Sequence, residues 1–127
     1  MKVAAFLLPD KMIIETVNKK DAGTWYGTEE FTMLPLDTSN SALGDCVLNH
    51  LHQSKEKEIS YDQIKENWKL IIKNAKFKTE KAFLQNVRRV SIIKENNKIL
   101  SLLCTISTFQ CVSIPFSTCC RSFICTL

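Results

Sequence analysis

The chain contains two histidines and six cysteines, the residue types that most often bind zinc or act as nucleophiles. His50 and His52 are two positions apart, and two such residues on a helix point to different faces, so they are poorly placed to bind one ion. No two cysteines have the C-x-x-C spacing by which zinc knuckles present two thiolates from one turn. We therefore expect no bound metal and no cofactor.

Motifs for nucleotide binding or catalysis are also missing from the sequence. Gly23, Gly27 and Gly44 are too dispersed for a dinucleotide fingerprint or a Walker loop. Neither histidine lies in a recognisable catalytic motif, although a cysteine and a histidine that are distant in sequence can still meet in a fold. A small cysteine-dependent enzyme is thus a third alternative, while our prediction is a protein without enzymatic activity and without a small-molecule substrate.

Acidic residues and two adjacent aromatic residues in the first half of the chain form a candidate partner-binding surface. Residues 18–30 are mostly polar and contain two glycines, so we predict a loop that presents Trp25 and Tyr26. Exposed aromatic side chains in a loop can supply binding hot spots, although packing of Trp25 under the loop is an equal alternative. The predicted partner-binding residues are Asp21, Trp25, Tyr26, Glu29, Glu30, Asp37 and Asp45.

Charge is distributed unevenly along the chain, whose formal net charge is +4. Residues 1–54 carry four lysines and seven acidic residues, whereas residues 55–98 carry twelve basic and six acidic residues. An acidic surface can attract a basic protein, and a basic surface can attract nucleic acid. The alternative hypothesis is therefore a nucleic-acid-binding accessory protein that uses the Lys-rich residues 55–98. Since Trp68 lies on an apolar stripe, we expect it in the core and expect no direct nucleic-acid binding.

The first elements are predicted to be strands. The segments Lys2–Leu8 and Lys11–Val17 are apolar and rich in β-branched residues, and the turn-forming Pro9 and Asp10 separate them, which predicts a hairpin. Three further segments have strand-like composition: Phe31–Leu36, Val90–Ile93 and Ile99–Leu103. The last two are joined by the turn residues 95–97 and predict a second hairpin.

Three helices are predicted between these strands. Residues 37–41 offer side-chain acceptors for a helix start, Ser60 and Gln63 have capping-box spacing, and Thr79 can cap a short third helix. Apolar residues recur at helical spacing in all three segments. They are Leu43, Val47 and Leu51; Tyr61, Ile64, Trp68, Ile71, Ile72 and Ala75; and Ala82, Phe83 and Val87.

These elements predict one mixed α/β domain of the α+β type over residues 1–127, with an antiparallel-dominated sheet on which two or three helices pack. Asp10 and Lys11 interrupt the apolar start before a secretory signal is reached. The uncharged stretch Ile99–Cys120 contains scattered Ser, Thr, Gln and Pro, which favours a buried sheet over a membrane span. We expect a cytoplasmic protein with reduced thiols and no membrane contact.

Several short motifs occur in a familiar order over about residues 2–100. They are Gly23-Thr24-Trp25, Leu34-Pro35-Leu36-Asp37, Leu43-Gly44 with Val47, Leu51 and Ser54, Trp68-Lys69, and Phe77-Lys78-Thr79 with Phe83. In order and spacing the chain resembles the family of contact-dependent growth inhibition (CDI) immunity proteins. The resemblance implies an intracellular antidote that binds the carboxy-terminal nuclease domain of a large surface toxin and masks its active site. It implies no enzymatic role.

The carboxy-terminal residues 102–127 differ from the rest of the chain. They contain five of the six cysteines and a single charged side chain, Arg121. The resemblance leads us to expect a more polar ending that contains Pro, Gly and further charged residues. We interpret residues 102–127 as an atypical part of the domain and as the product of a frameshifted or truncated gene.

Overall fold

The computed structural model describes residues 1–21, 23–96, 98–105 and 110–115, with side chains described as far as residue 99. Its elements are β1 (Lys2–Leu7), β2 (Lys11–Lys19), β3 (Trp25–Pro35), α1 (Asn40–Gln53), α2 (Tyr61–Asn74), α3 (Glu80–Asn86), β4 (Arg88–Glu95), β5 (Lys98–Thr105) and β6 (Gln110–Pro115). Cys119, Cys120 and Cys125 lie outside the described residues, as do the side chains of Cys104 and Cys111. No helix in the described ranges is long and apolar enough to cross a membrane.

The strands of the described ranges form one sheet in the order β3-β2-β1-β4-β5-β6, and each neighbouring pair is antiparallel. Both predicted hairpins are present, β1 with β2 and β4 with β5. β1 and β2 lie between other strands and are almost entirely buried, which accounts for their nearly continuous apolar sequence. The prediction of an antiparallel α/β domain with helices on its sheet is confirmed.

One face of the sheet is covered by α1. Ser39 caps this helix by accepting a hydrogen bond from the Ala42 amide at 3.2 Å, within the predicted helix start. The apolar residues predicted at helical spacing on α1 are buried. The core on this face consists of Val3, Ala5, Leu7, Met12, Ile14, Leu43, Val47, Leu51, Val90 and Ile92.

The other face is covered by α2 and α3. Ser60 and Thr79 cap these helices as predicted, each through its side-chain oxygen. Phe83 is fully buried, and its ring centroid lies 5.4 Å from that of Trp68 and 5.9 Å from that of Phe6. Because these rings pack edge-on or tilted, they add to the energy of simple burial. Trp68 is therefore part of the core on this face, as the apolar stripe predicted.

Two aromatic residues do not lie where the sequence placed them. The prediction of a loop over residues 18–30 is wrong, because β2 extends to Lys19 and β3 begins at Trp25, so that Tyr26 is only 4% exposed. β3 is an edge strand whose pairing with β2 outweighs the weak strand propensity of its polar residues. Tyr61 was predicted on the buried stripe and is 67% exposed, because the core contacts of α2 are made further along the helix, by Trp68, Ile71, Ile72 and Ala75.

We predict that Phe83→Ala lowers the free energy of unfolding by about 3–5 kcal/mol, because it leaves a cavity among packed rings. Leu84→Ala, in the same helix at a partly buried position, serves as the control and has a smaller effect. Urea denaturation followed by circular dichroism measures both. Equal losses for the two variants would contradict a core centred on Phe83.

Candidate functional site

A β-bulge in the edge strand β3 forms the centre of the candidate site. Glu15 pairs with Phe31 but Val17 pairs with Gly27, so residues 28–30 together lie opposite one residue of β2. The Thr28 hydroxyl donates to a backbone carbonyl of β2 at 2.9 Å and accepts a hydrogen bond from the amide of residue 30 at 3.1 Å. Adjacent residues of a regular strand point to opposite faces, whereas the bulge leaves two successive glutamates, residues 29 and 30, exposed.

A polar cavity of about 330 Å³ lies beside the bulge. It is bounded by β2, β3, the end of α1, the connection at residues 54–60, and the first two turns of α2. Its lining residues are Thr16, Asn18, Tyr26, Thr28, Glu29, Glu30, Gln53, Lys55, Lys57, Ile59, Gln63 and Asn67. Its size and its hydrogen-bonding groups suit it to accept one polar side chain or a small group of atoms from a partner.

The connection between α1 and α2 forms one wall of the cavity and explains why Tyr26 is buried. The amide of Lys19 donates to the carbonyl of Lys55 at 3.0 Å, and the amide of Lys57 donates to the carbonyl of Lys19 at 3.0 Å. The Tyr26 hydroxyl donates to the Lys57 carbonyl at 2.9 Å. Tyr26 therefore holds the cavity wall in place and does not project towards solvent.

His50 lies on α1 and is buried against the sheet, where two threonine hydroxyl groups satisfy both nitrogens of its ring. Its Nδ1 lies 2.7 Å from Thr16 Oγ1, and its Nε2 lies 2.8 Å from Thr32 Oγ1. Burial lowers the pKa of His50, while the nearby Glu30 carboxylate raises it in part. His52 is exposed, so the two histidines point apart as expected. Among the described residues, no group of three acidic, histidine or cysteine side chains could hold a metal ion.

Glu15 is a buried carboxyl group directly beneath the bulge. A Cβ atom at Gly27 would overlap the Glu15 carboxyl, so the glycine provides the space that this side chain occupies. Burial raises the pKa of Glu15 to about 8, and the positive charge of Arg89 opposes this shift. Glu15 is therefore largely uncharged at neutral pH, and it adds little to the acidic surface that the sequence predicted.

Helix α2 also holds the backbone beside the bulge in place. Asn67 is buried, and its Nδ2 donates to the Gly27 carbonyl at 3.0 Å. Gln63, one turn earlier, donates to Asn67 Oδ1 at 2.9 Å. These two amides satisfy polar groups next to the cavity and orient the backbone that carries the exposed glutamates.

The structure divides the predicted partner-binding residues into two groups. The first group lies at the end of the β2–β3 hairpin where Lys19 pairs with Trp25, and in the adjoining bulge. Asp21 and Trp25 belong to this hairpin end, and Glu29 and Glu30 belong to the bulge. Asp37 follows the other end of β3, about 17 Å along the strand from Glu30, and Asp45 lies in α1. All five acidic residues are exposed, and Trp25 is half-buried with two lysine ammonium groups 5.6 and 5.9 Å from its ring.

Sequence reasoning missed the polar residues that support the site. A lone glutamate in the apolar segment 11–17 was a signal that could have identified Glu15, because an unpaired carboxyl group is rare in a buried strand. Nothing in the local sequence distinguishes Asn67 from an amide on a solvated helix face. Its role depends on the bulge, which is distant in the chain.

We predict that Gly27→Ala lowers the free energy of unfolding by about 1–3 kcal/mol, because the added methyl group overlaps the Glu15 carboxyl. In a Glu15→Ala background the same substitution meets a smaller neighbour and costs much less. Gly23→Ala, where a Cβ meets nothing within 4 Å, is the matched control. Urea denaturation of the four variants and the wild type tests this coupling, and an unchanged cost in the Glu15→Ala background contradicts it.

Glu15 should make stability fall as pH rises. Its folded pKa of about 8 exceeds its ordinary value of 4.5, so its contribution is complete below pH 4.5 and is lost as pH rises through 8. The expected slope approaches about 1.4 kcal/mol per pH unit between these values. Glu15→Gln should flatten this slope, and urea denaturation of both proteins at pH 5.5 and 7.5 measures the change. Because burial lowers its pKa, His50 acts with the opposite sign below about pH 6.5. The difference between Glu15→Gln and the wild type therefore isolates Glu15.

Comparisons with solved structures relate the fold to two others. It is similar to the protein of unknown function NMB0488 from Neisseria meningitidis, with a TM-score of 0.73 and 18% identity over 98% of this chain and 88% of that chain. It is also similar to a chain of the CdiA-CT/CdiI toxin and immunity complex from Yersinia pseudotuberculosis, with a TM-score of 0.64 and 13% identity over 79% of this chain and 71% of that chain. At these identities the likeness establishes the fold.

The sequence comparisons identify the family. A search of curated proteins gave no match. The profile of the family CdiI, described as CDI immunity protein, matches residues 2–101, which is most of the chain and includes β1 to β4 and all three helices. The protein therefore belongs to the CDI immunity protein family.

Proposed function

We propose that this protein neutralises the nuclease domain of a CDI toxin by binding over its active site. Membership of the immunity protein family supports a toxin-neutralising role. The observation that carries the finer proposal is the bulge in β3, which exposes two adjacent glutamates beside a polar cavity. Nucleases concentrate positive charge where they bind phosphate, so an acidic projection can be attracted to that surface and compete with the substrate for it.

The proposed binding surface is centred on the bulge and the adjacent hairpin end. Glu29 and Glu30 supply the charge, Asp21 extends it, and the half-buried Trp25 is the aromatic anchor. Tyr26 contributes by holding the cavity wall. A stable complex buries about 800 Å² on each partner, which exceeds the area of a single bulge. The interface would therefore continue along the β3 edge, where Asp37 and Asp45 are the candidate residues for its far end.

Inhibition by this surface requires no catalysis. The protein acts in the cytoplasm, where it covers the positively charged groups of the toxin and excludes nucleic acid by its bulk. Glu15 does not take part directly, because it is buried and largely uncharged at neutral pH. It supports the bulge together with Asn67, so the exposed carboxylates are held in one arrangement before the toxin binds.

The atypical composition of residues 102–127 bears on this copy of the protein. The family profile ends at residue 101, next to the point where charged residues become rare and cysteines frequent. The interpretation of residues 102–127 as a frameshift or truncation product stays a proposal. Every residue proposed to contact the toxin lies before this point.

The role is tested with the toxin domain encoded by the neighbouring gene. Cells that express this domain should survive when the wild-type chain is coexpressed, and the purified proteins should form a complex. Glu29→Lys with Glu30→Lys should slow association about tenfold at low ionic strength, because both charges that attract the toxin are reversed. The difference should shrink as salt is added, since salt screens exposed charges. Stopped-flow fluorescence or surface plasmon resonance measures the rate.

Two matched variants separate this surface from a general effect of charge. Glu80→Lys with Glu95→Lys changes the net charge equally at two exposed positions outside the proposed surface, and its association rate should stay within about twofold of the wild-type rate. Asp37→Lys with Asp45→Lys tests the far end of the interface. A wild-type chain that neither binds the toxin nor protects cells refutes the role. Normal association of the Glu29 and Glu30 variant refutes the bulge as the binding surface.

A further inference from the structure

The outer face of α2 carries a row of side chains at four-residue intervals. Tyr61, Lys65, Lys69 and Lys73 occupy this row, and all four are exposed. Residues four apart on a helix are neighbours along its surface, so the row is about 18 Å long. It consists of one aromatic ring at the start of the helix followed by three positive charges.

Most of the acidic groups near this row are already engaged. Residues 61–81 contain six lysines, all exposed, and three acidic residues. Glu66 pairs with Lys69 at 3.3 Å, and Glu80 accepts a hydrogen bond from the Trp68 indole at 3.1 Å. Lys65 and Lys73 take part in no ion pair among the described residues. The face therefore keeps a net positive charge in the folded protein.

The position of Tyr61 changes the interpretation of the basic region. The sequence argued against nucleic-acid binding, because the apolar stripe placed Trp68, the tryptophan of the basic region, in the core. The structure agrees, since the Trp68 ring packs beside Phe6 and Phe83. Tyr61 instead is 67% exposed, and the Lys65 ammonium lies 5.0 Å from its ring centroid. An exposed aromatic ring in line with three exposed lysines has the composition of a stacking platform on a single-stranded nucleic-acid site.

We propose that the outer face of α2 binds single-stranded nucleic acid, with Tyr61 stacking on a base and Lys65, Lys69 and Lys73 contacting successive phosphates. An anionic membrane fits less well, because Leu70 is the only other large apolar side chain exposed on this helix. An acidic protein would use the lysines but would not require the exposed ring.

This surface is separate from the proposed toxin-binding surface. Gln63 and Asn67 are the α2 residues that line the cavity, and Asn67 contacts the backbone beside the bulge, whereas none of the four row residues lines the cavity. The bulge is acidic and the outer face of α2 is basic, so a nuclease and a nucleic acid would select different sides of the molecule. The inference does not depend on the toxin-masking proposal, and it is tested with the protein alone.

Binding is measured by fluorescence anisotropy with a short labelled oligouridine over a series of salt concentrations. With three phosphate contacts, the logarithm of the affinity should fall against the logarithm of salt concentration with a slope of about −2. Lys65→Gln, Lys69→Gln and Lys73→Gln combined should lower affinity at least about tenfold and remove most of this slope. Tyr61→Ala should lower affinity about tenfold and leave the slope nearly unchanged, because stacking releases no counterions.

The control combines Lys20→Gln, Lys94→Gln and Lys98→Gln, which change the net charge equally at positions outside α2. It should bind like the wild-type chain, and circular dichroism checks that all variants are folded. Equal losses in the control and the α2 variant would show a general charge effect and overturn the proposal. Absence of oligouridine binding, or binding to phosphatidylserine vesicles but not to oligouridine, would also overturn it.

Discussion

The structure depends on the burial of the β1–β2 hairpin on both faces of the sheet. Because both faces of these strands are apolar, one helical layer cannot cover them, so α1 packs on one face and α2 with α3 on the other. The chain must therefore cross from one face to the other after α1, and residues 54–60 make this crossing. Their backbone pairs with the end of β2 and forms a wall of the polar cavity, so the cavity is a consequence of the three-layer arrangement.

The site beside that crossing rests on a polar group in a position that otherwise favours apolar residues. Glu15 lies in the central hairpin, where burial makes the charged form costly, and the missing side chain of Gly27 makes room for its carboxyl. Regular pairing of β3 is interrupted at this point, and Asn67 supplies a hydrogen bond to the displaced backbone. Stability is thereby linked to the geometry of the exposed bulge, and a polar core residue contributes to recognition without contacting the partner.

Electrostatics separates the two proposed binding surfaces more clearly than the net charge suggests. The formal charge of +4 conceals an acidic sheet edge at β3 and a basic outer face on α2. One acidic residue of the first half, Glu15, is largely uncharged in the fold, so the acidic edge depends on exposed side chains. Since fields of opposite sign steer different partners, the proposed contacts with a nuclease and with nucleic acid can coexist on one small domain.

The sequence by itself determined the elements whose signals are local. Ser60 caps its helix and the segments of β1 and β2 form a hairpin, because capping and hydrophobic periodicity act between residues that are close in the chain. The family was also recognisable from short motifs in order. Tertiary structure decided the burial of Tyr26, the exposure of Tyr61 and the role of Asn67. Local sequence cannot fix burial at a sheet edge, because it depends on which distant segment lies opposite each side chain.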